Sequence, residues 1–221
     1  MLIPLNVCIQ SSSKLQTLFK NNKESGVVHI GAHLGEECED YVKCGFKKII
    51  WIEANKSLLK ELFDRTNKIC NQVKVSQTII PAVVSDVDGE EVNFNITNNG
   101  QSSSILELGT HLKHHPHVQV SEVRKLKTIK FKTLVEKEKI NLENYWFLNL
   151  DIQGAELKAL KGFEELLSGF TAIYTEVNEE EVYKGCCTIK ELDEYLATFG
   201  FSRVKTKMTE FKWGDALYVK N

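Results

Sequence analysis

The sequence predicts an α/β fold in which a mostly parallel sheet carries helices on both faces. Short apolar segments of strand length alternate with amphipathic segments of helical length along most of the 221 residues, as in repeated strand, helix and strand units. A glycine-containing turn, HIGAHLG, joins the first strand to the first helix, and an acidic residue, Glu53, ends the second strand. Both features are typical of nucleotide-binding sheets of this class.

The order of the predicted elements gives the sheet its layout. The first three strands are residues 26–30, 47–54 and 77–86, with helices over residues 34–46 and 57–68 between them. Pro81, inside the third strand, indicates an edge strand or a kink. After a polar segment, alternation resumes with strands over residues 127–131, 145–152 and 171–177 and helices over residues 132–139, 155–167 and 188–200. Two last strands, residues 201–207 and 215–220, are close enough in sequence to pair as an antiparallel hairpin.

Composition and charge limit the kinds of protein that this chain can be. The chain is 42% hydrophobic and 26% charged, so we expect one domain over residues 1–221, with residues 1–25 as an N-terminal extension. Basic residues alternate with apolar ones instead of forming a dense patch, so nucleic acid is not an expected partner. We expect no secretory signal and no membrane span, because no apolar run approaches roughly 20 residues. Six scattered cysteines indicate free thiols in the cytoplasm.

The glycine turn indicates a nucleotide pocket that does not bind a pyrophosphate. Glycine at positions 31 and 35 lets a ligand approach the backbone, but the spacing of Gly31 and Gly35 differs from G-x-G-x-x-G. Glu36 and Glu37, in the first helical turn, would repel a pyrophosphate, although they also suit the helix dipole. Glu53 lies about twenty residues past Gly31, where a carboxylate binds the ribose hydroxyls of a nucleotide.

Polar residues follow the third predicted strand. Ser85 and Asp86 end this strand at the place where an adenine would lie, but they suit a turn equally well. The segment 87–128 that follows contains one short strand at residues 92–96 and then a long polar connection. Because long loops inside compact domains are usually functional, we expect residues 97–125 to form a loop or lid over the active site.

Six sequence segments, taken in order, resemble one known family. They are HIGAHLGEE, WIEAN, AVVSDVDGEEVNF, LNLDIQGAELKALKGFEELL, YTEVN and WGDALYVK. From Val27 to Lys220 the chain resembles the FkbM family of S-adenosylmethionine-dependent methyltransferases. The resemblance implies the class I methyltransferase Rossmann-like fold, a seven-stranded, mostly parallel sheet with an antiparallel last strand and helices on both faces. It also implies an O-methyltransferase that acts on a hydroxyl group.

The same resemblance assigns residues to the cofactor, S-adenosylmethionine. It implies that the methionine part of the cofactor contacts Gly31, Ala32, His33 and Gly35. The ribose would contact Glu53, and the adenine side would contact Ser85 and Asp86. Ala54 is also expected to bind the cofactor. One position departs from the pattern, because class I enzymes commonly carry an acid two residues before the first glycine, where this chain has His29. A histidine offers no fixed negative charge to the ammonium group of the cofactor, and a lone histidine on an apolar strand is typical of a core residue.

Polar residues also end the fourth and fifth strands of the main sheet. Asp151 follows the apolar YWFLNL, and Glu176 and Asn178 end the next strand, so we expect the three to converge at one edge of the sheet. A hydroxyl acceptor needs a general base or a cation, and we therefore predict Asp151 and Glu176 as catalytic residues. With Asn178 they could hold Mg²⁺, or they could hydrogen-bond the acceptor without a metal. The structural alternative is a helix N-terminus with Asp151 as cap and Glu156 in the first turn.

Further polar side chains are predicted to bind the acceptor, a saccharide or other small molecule. They are Ser102, Ser103, Ser104, Gln153, Asn178 and Trp213. The serines belong to NNGQSSSI, which resembles a family segment over the active site, and their hydroxyls suit a polyhydroxylated acceptor. In HLKHHPH, His111 or His115 could act as the base. Zinc is not expected there, because cysteine partners and two spaced ligand pairs are missing.

We therefore expect methyl transfer from S-adenosylmethionine to a hydroxyl of a sugar, glycan precursor or glycoconjugate. The alternatives are a nicotinamide-dependent oxidoreductase on a similar sheet and a binding module that keeps the fold without catalysis. The absent G-x-G-x-x-G weighs against the oxidoreductase. The intact DIQGAE and EVN segments weigh against loss of catalysis.

Overall fold

A seven-stranded sheet forms the centre of the computed structural model, which describes residues 1–21 and 24–221, with only the backbone of Asn21. The strands of the described chain are β1 (Gly26–Ile30), β2 (Lys48–Glu53), β3 (Ser76–Pro81), β4 (Val83–Val84), β5 (Glu91–Thr97), β6 (Val120–Ile129), β7 (Tyr145–Leu150), β8 (Ala172–Asn178), β9 (Phe201–Met208) and β10 (Trp213–Lys220). The main sheet has the order β3-β2-β1-β7-β8-β10-β9. Strand β10 is antiparallel to both of its neighbours, and the other pairings are parallel. The predicted fold class and terminal hairpin are confirmed.

Helices cover both faces of this sheet. They are α1 (Leu5–Gln10), α2 (Ser13–Asn21), α3 (Cys38–Cys44), α4 (Leu59–Val73), α5 (His111–His114), α6 (Phe131–Lys137), α7 (Glu156–Lys161) and α8 (Ile189–Ala197), with a 3₁₀ helix at Glu164–Gly169. Along β1, Val28 and Ile30 pack with Leu160 of α7, whereas Val27 packs with Tyr41 of α3. Side chains alternate between the faces of a strand, so β1 is buried on both sides. None of the helices in the described part of the chain is both long and apolar enough to cross a bilayer.

The N-terminal residues pack against the same face as α3 and α4. Residues 1–25, predicted as an extension, contain α1 and α2 in their described part. Ile3, Leu5, Cys8 and Leu15 are at most 2% exposed and belong to the core cluster that includes Val27. These helices therefore add a layer to the domain core.

A second, three-stranded sheet has the order β4-β6-β5. Residues 77–86, predicted as one strand, are divided between the two sheets: β3 ends at Pro81 on the edge of the main sheet, and β4 pairs with β6. Proline has no N–H to donate, which suits the end of an edge strand. The chain therefore leaves the main sheet before Ser85 and Asp86.

Strand β6 is the largest departure from the predicted elements. Residues 120–126 were expected within the polar connection, but they pair antiparallel with β5. Most side chains of β6 are exposed or half-buried, so residues 120–126 give only a weak strand signal, whereas residues 127–129 fall within the strand predicted at residues 127–131. The segment 97–125 thus includes the first part of a strand.

Gly31 permits the close approach of β1 to β7, and its replacement should destabilise the fold. It has a φ of 87°, and a Cβ there would lie 1.8 Å from the carbonyl oxygen of Asp151. We expect Gly31→Ala to lower the free energy of unfolding by about 3 kcal/mol, because main-chain atoms must move. Gly89 has a φ of 76° with nothing within 4 Å of such a Cβ, so Gly89→Ala should cost only about 1 kcal/mol. Urea unfolding compares the two variants, and equal losses would contradict the steric explanation.

Candidate active site

The carboxyl ends of β1, β2 and β7 surround a cavity, which we call the strand-end cavity. Its wall includes Gly31, Glu53, Asp151 and residues 82–84, with part of the segment 100–105. Ligands of doubly wound sheets bind at this edge.

The glycine turn and Glu53 are joined by hydrogen bonds. Gly31 and Gly35 have φ angles of 87° and 70°, and His33 has a φ of 44°. The Glu53 carboxylate, on a side chain only 7% exposed, accepts the backbone N–H groups of His33 (2.8 Å) and Asn55 (2.6 Å). Burial raises the pKa of Glu53, and these backbone donors oppose the rise. The carboxylate thus links the end of β2 to the turn after β1.

The other residues predicted to contact the cofactor lie in the walls of the two cavities or support the packing of the turn. His33 and Ala54 line the strand-end cavity, and Ala32 lines a neighbouring cavity. A Cβ at Gly35 would lie 2.4 Å from Thr66 of α4, so the glycine allows this helix to pack against the turn.

Ser85 and Asp86 lie outside the wall of the strand-end cavity. Ser85 is 1% exposed; its backbone N–H donates to the carbonyl of Ile129 (3.0 Å), and its hydroxyl donates to Asp86 Oδ1 (3.0 Å). Residues 82–84 line the cavity in their place, because the chain bends away from the main sheet after Pro81.

His29 is a buried residue within a polar network. Its Nδ1 lies 3.1 Å from the hydroxyl of Tyr41, which accepts a hydrogen bond from the Asn149 side chain at 2.6 Å. Burial lowers the pKa of His29 to about 3, so the ring is uncharged at neutral pH. The interpretation of His29 as a core residue agrees with this geometry.

A second cavity, which we call the acidic cavity, adjoins the first. The two share Gly31, His33, Gln101 and Asp151. The acidic cavity is lined by the carboxylates of Glu36, Glu37, Asp151, Glu176 and Asp215. Among the described residues, its wall contains no lysine or arginine.

Asp151 and Glu176 are brought together, as predicted, and Gln153 bridges them. The Gln153 amide nitrogen donates to Asp151 Oδ1 (2.6 Å) and to Glu176 Oε2 (2.7 Å). The Gln153 carbonyl oxygen accepts the hydroxyl of Tyr183. Because Tyr183 holds the oxygen, the amide N–H groups are directed toward both carboxylates.

The environment of these carboxylates favours their neutral forms. Asp151 is exposed to the cavity, but partial desolvation by the surrounding protein atoms and the charge of Asp215 raise its pKa to about 6. Burial and the nearby Asp151 raise the pKa of Glu176 well above its usual range. A pKa near neutrality is what a general base requires, and Asp151 has one.

Glu156 has a structural role in the turn after β7. Its Oε1 accepts the backbone N–H groups of Ile152 (3.0 Å) and Gly154 (3.1 Å). Burial raises the pKa of Glu156 to about 7. The expected helix N-terminus is therefore stabilised by Glu156, while the Asp151 side chain is directed to Gln153.

The described residues contain no group of three His, Cys, Asp or Glu side chains able to hold a metal ion. Between Asp151 and Glu176, the position of a shared cation is taken by the N–H groups of Gln153. Asn178 lies outside the wall of the acidic cavity, 1% exposed, and its Oδ1 has no hydrogen-bond partner in the described chain.

The residues predicted to bind the acceptor line the two cavities, and two of them also hold the surrounding loop in place. Ser102 and Trp213 line the acidic cavity with Gln153. Ser103 and Ser104 line the strand-end cavity. Their hydroxyls donate to backbone carbonyls, Ser103 to Gly100 at 2.6 Å and Ser104 to Gln153 at 2.8 Å, so both also hold the loop in place.

Histidines of the HLKHHPH segment lie at the acidic cavity. His111, His115 and His117 line it, and the rings of His111 and His115 have centroids 4.9 Å apart. Burial lowers the pKa of His111 to about 4, and its Nδ1 is buried and has no partner among the described residues. Both rings remain near the acceptor side, but neither is as close to Glu176 as Gln153 is.

Two residues of the site were not singled out from the sequence. Asp215 lies opposite Glu176 in the pairing of β10 with β8 and accepts the hydroxyl of Tyr174 and the backbone N–H of Leu2. Tyr183 orients Gln153. Asp215 lies in the WGDALYVK segment, but its position opposite Glu176 depends on the register of β10 against β8. The sequence alone does not give that register.

The strand order, the glycine turn followed by Glu53, and the carboxylates at the ends of β7 and β8 define a Rossmann-like methyltransferase of class I. The family model described as the methyltransferase FkbM domain matches residues 29–203. The chain belongs to this family and is a methyltransferase.

Solved structures of methyltransferases are similar to this chain at low identity. TrmK from M. capricolum, in complex with S-adenosyl-homocysteine, is 9% identical with a TM-score of 0.47, over 95% of this chain and 69% of that chain. A SAM dependent methyltransferase from Aquifex aeolicus is 10% identical with a TM-score of 0.46, over 100% of this chain and 95% of that chain. No match is found among curated protein sequences.

Removal of the Glu53 carboxylate should weaken cofactor binding. We expect Glu53→Ala to reduce the affinity for S-adenosylhomocysteine by about 1–3 kcal/mol, because charge-assisted hydrogen bonds are lost. Calorimetry measures this, with Glu61→Ala on the exposed face of α4 as the control. An unchanged affinity would show that Glu53 does not bind the cofactor.

Proposed function

We propose that this protein transfers the methyl group of S-adenosylmethionine to a hydroxyl of a sugar, glycan precursor or glycoconjugate. One observation carries the proposal: the bridged pair of Asp151 and Glu176 lies in a polar cavity that adjoins the strand-end cavity. The experiment is incubation with labelled S-adenosylmethionine and a panel of glycosides and saccharide extracts. Mass spectrometry should find a saccharide heavier by one methylene, and label on none of them would contradict the proposal.

The strand-end cavity and the adjoining glycine turn would hold the cofactor. Gly31, Ala32 and His33 would lie along its methionine part, because the missing side chain at Gly31 leaves the backbone open. Glu53 would accept its ribose hydroxyls next to Ala54. The apolar residues 82–84, rather than Ser85 and Asp86, line the cavity on the adenine side.

Asp151 is the proposed general base. When bound, S-adenosylmethionine supplies a methyl group already activated on a sulfonium. As the acceptor oxygen bonds to the methyl carbon and the carbon–sulfur bond breaks, Asp151 takes the hydroxyl proton. Glu176, with its high pKa, stays protonated and hydrogen-bonds the acceptor, and positioning supplies most of the rate.

The wall of the acidic cavity supports an acceptor without negative charge. Amide and hydroxyl groups of Gln101, Ser102 and Gln153 can bind several acceptor hydroxyls, and Trp213 offers a flat apolar surface. Like charges in a shielded site repel strongly, so phosphorylated acceptors and nucleic acids are disfavoured. Base catalysis without Mg²⁺ is proposed, because Gln153 occupies the space between the carboxylates.

Other functions have less support. Family membership disfavours the nicotinamide-dependent oxidoreductase. A binding module without catalysis would give no methylated product in the experiment above. A cytoplasmic location is proposed because the cysteines are free thiols.

Replacement of Asp151 should stop turnover and leave cofactor binding intact. We expect Asp151→Asn to lower kcat by about 100- to 10,000-fold, the usual contribution of a general base, with nearly unchanged affinity for S-adenosylhomocysteine. Asp64→Asn, on the surface of α4, is the matched control. Full activity of Asp151→Asn on the true acceptor would rule out this role.

The pH profile should report the ionised form of Asp151. Since the pKa of Asp151 is raised to about 6, kcat/KM should fall as the pH drops through this value and be level above it. Gln153→Ala removes donors that stabilise the ionised carboxylate, so the pKa should rise and the fall should begin at higher pH. A profile that does not move in Gln153→Ala would contradict the bridge.

A further inference from the structure

The residue two positions before Gly31 does not supply the negative charge that class I enzymes commonly have there. His29 is 2% exposed and hydrogen-bonded to Tyr41. With its pKa lowered to about 3 by burial, it is neutral at physiological pH. An ammonium group next to the glycine turn therefore needs a carboxylate from elsewhere in the chain.

Glu37 lies beside that position. Its Oε2 is 3.9 Å from His29 Nδ1, and its side chain, 16% exposed, lines the acidic cavity with Gly31 and Ala32. Glu37 is the residue before α3, but its side chain makes no capping hydrogen bond. The N-terminal ammonium group of Met1 lies 3.7 Å from its Oε1, so a cation is accommodated at this carboxylate. Burial raises the pKa of Glu37, and the positive charge at Met1 opposes the rise.

Neighbouring carboxylates are committed to other contacts. Glu36 Oε1 lies 2.7 Å from His33 Nδ1, and its Oε2 accepts the backbone N–H of Leu34 at 3.2 Å. Asp151 is held by Gln153, and Asp215 accepts the hydroxyl of Tyr174. The ion-pair contacts of Glu37 are longer, at 3.7 Å to Met1 and 3.9 Å to His29, and both exceed hydrogen-bond distance.

We propose that Glu37 holds the ammonium group of the methionine part of the cofactor, in place of the acid that position 29 lacks. The inference rests on the cofactor class and not on the identity of the acceptor. Glu37, at the start of α3, lies 3.9 Å from the ring of His29 near the end of β1, so its carboxylate is close to the space that an acid at position 29 would face.

Calorimetry with two ligands tests this assignment. S-adenosylhomocysteine carries the ammonium group, and methylthioadenosine lacks the whole amino-acid part. Glu37→Gln should weaken the binding of S-adenosylhomocysteine about 10- to 100-fold, the effect of a lost charge-assisted hydrogen bond. The affinity for methylthioadenosine should be unchanged. Glu37→Asp should recover part of the affinity.

Control variants separate this role from a structural one. Glu39→Gln removes an exposed charge from the same helix and should change neither affinity. Glu36→Gln should weaken the binding of both ligands to the same extent, because it loosens the turn at His33. If Glu37→Gln weakens both ligands equally, or neither, the assignment is overturned. Wild-type binding of S-adenosylhomocysteine without any methylated saccharide would instead contradict the proposed function alone.

Discussion

The ends of three parallel strands are tied together at one point, and the whole site depends on that junction. The backbone N–H of Gly31 donates to the carbonyl of Ile52 (2.9 Å), and that of Asp151 donates to Ile30 (3.0 Å). Gly31 lies so close to the Asp151 carbonyl that no side chain fits between them. The glycine turn, the carboxylate ending β2 and the acidic turn after β7 are therefore held in one arrangement by main-chain contacts.

Charge is controlled at this junction by hydrogen bonds more than by opposite charges. Two carboxylates that share a small space cannot both ionise cheaply, and the amide of Gln153 lowers this cost without adding a charge. Tyr183 fixes the amide, since a reversed amide would place its oxygen against Asp151 and Glu176. The pair can then hold one negative charge on Asp151 while Glu176 stays neutral.

The main sheet could be predicted because β1 and β7 are buried on both faces and read as apolar runs. The first part of β6, residues 120–126, was not predicted, since its side chains are mostly exposed. The proximity of Asp151 and Glu176 could be predicted because β7 and β8 are adjacent parallel strands that end at the same edge of the sheet. The neighbour of Glu176 across the sheet, Asp215, depends on the register of β10, which is set by the packed sheet and not by nearby sequence.

The small sheet holds one wall of the site in position. Asn95 of β5 pairs with Ser104, and the Ser104 hydroxyl donates to the backbone carbonyl of Gln153 at 2.8 Å. On β6, Arg124 donates to the side chain of Asn55 at 3.1 Å, just past Glu53. The loop between β5 and β6 is therefore anchored to the turn after β7, and β6 itself is anchored to the turn after β2. A shift of the small sheet would disturb the ribose end and the base end of the site together, so the second sheet contributes to positioning in both cavities.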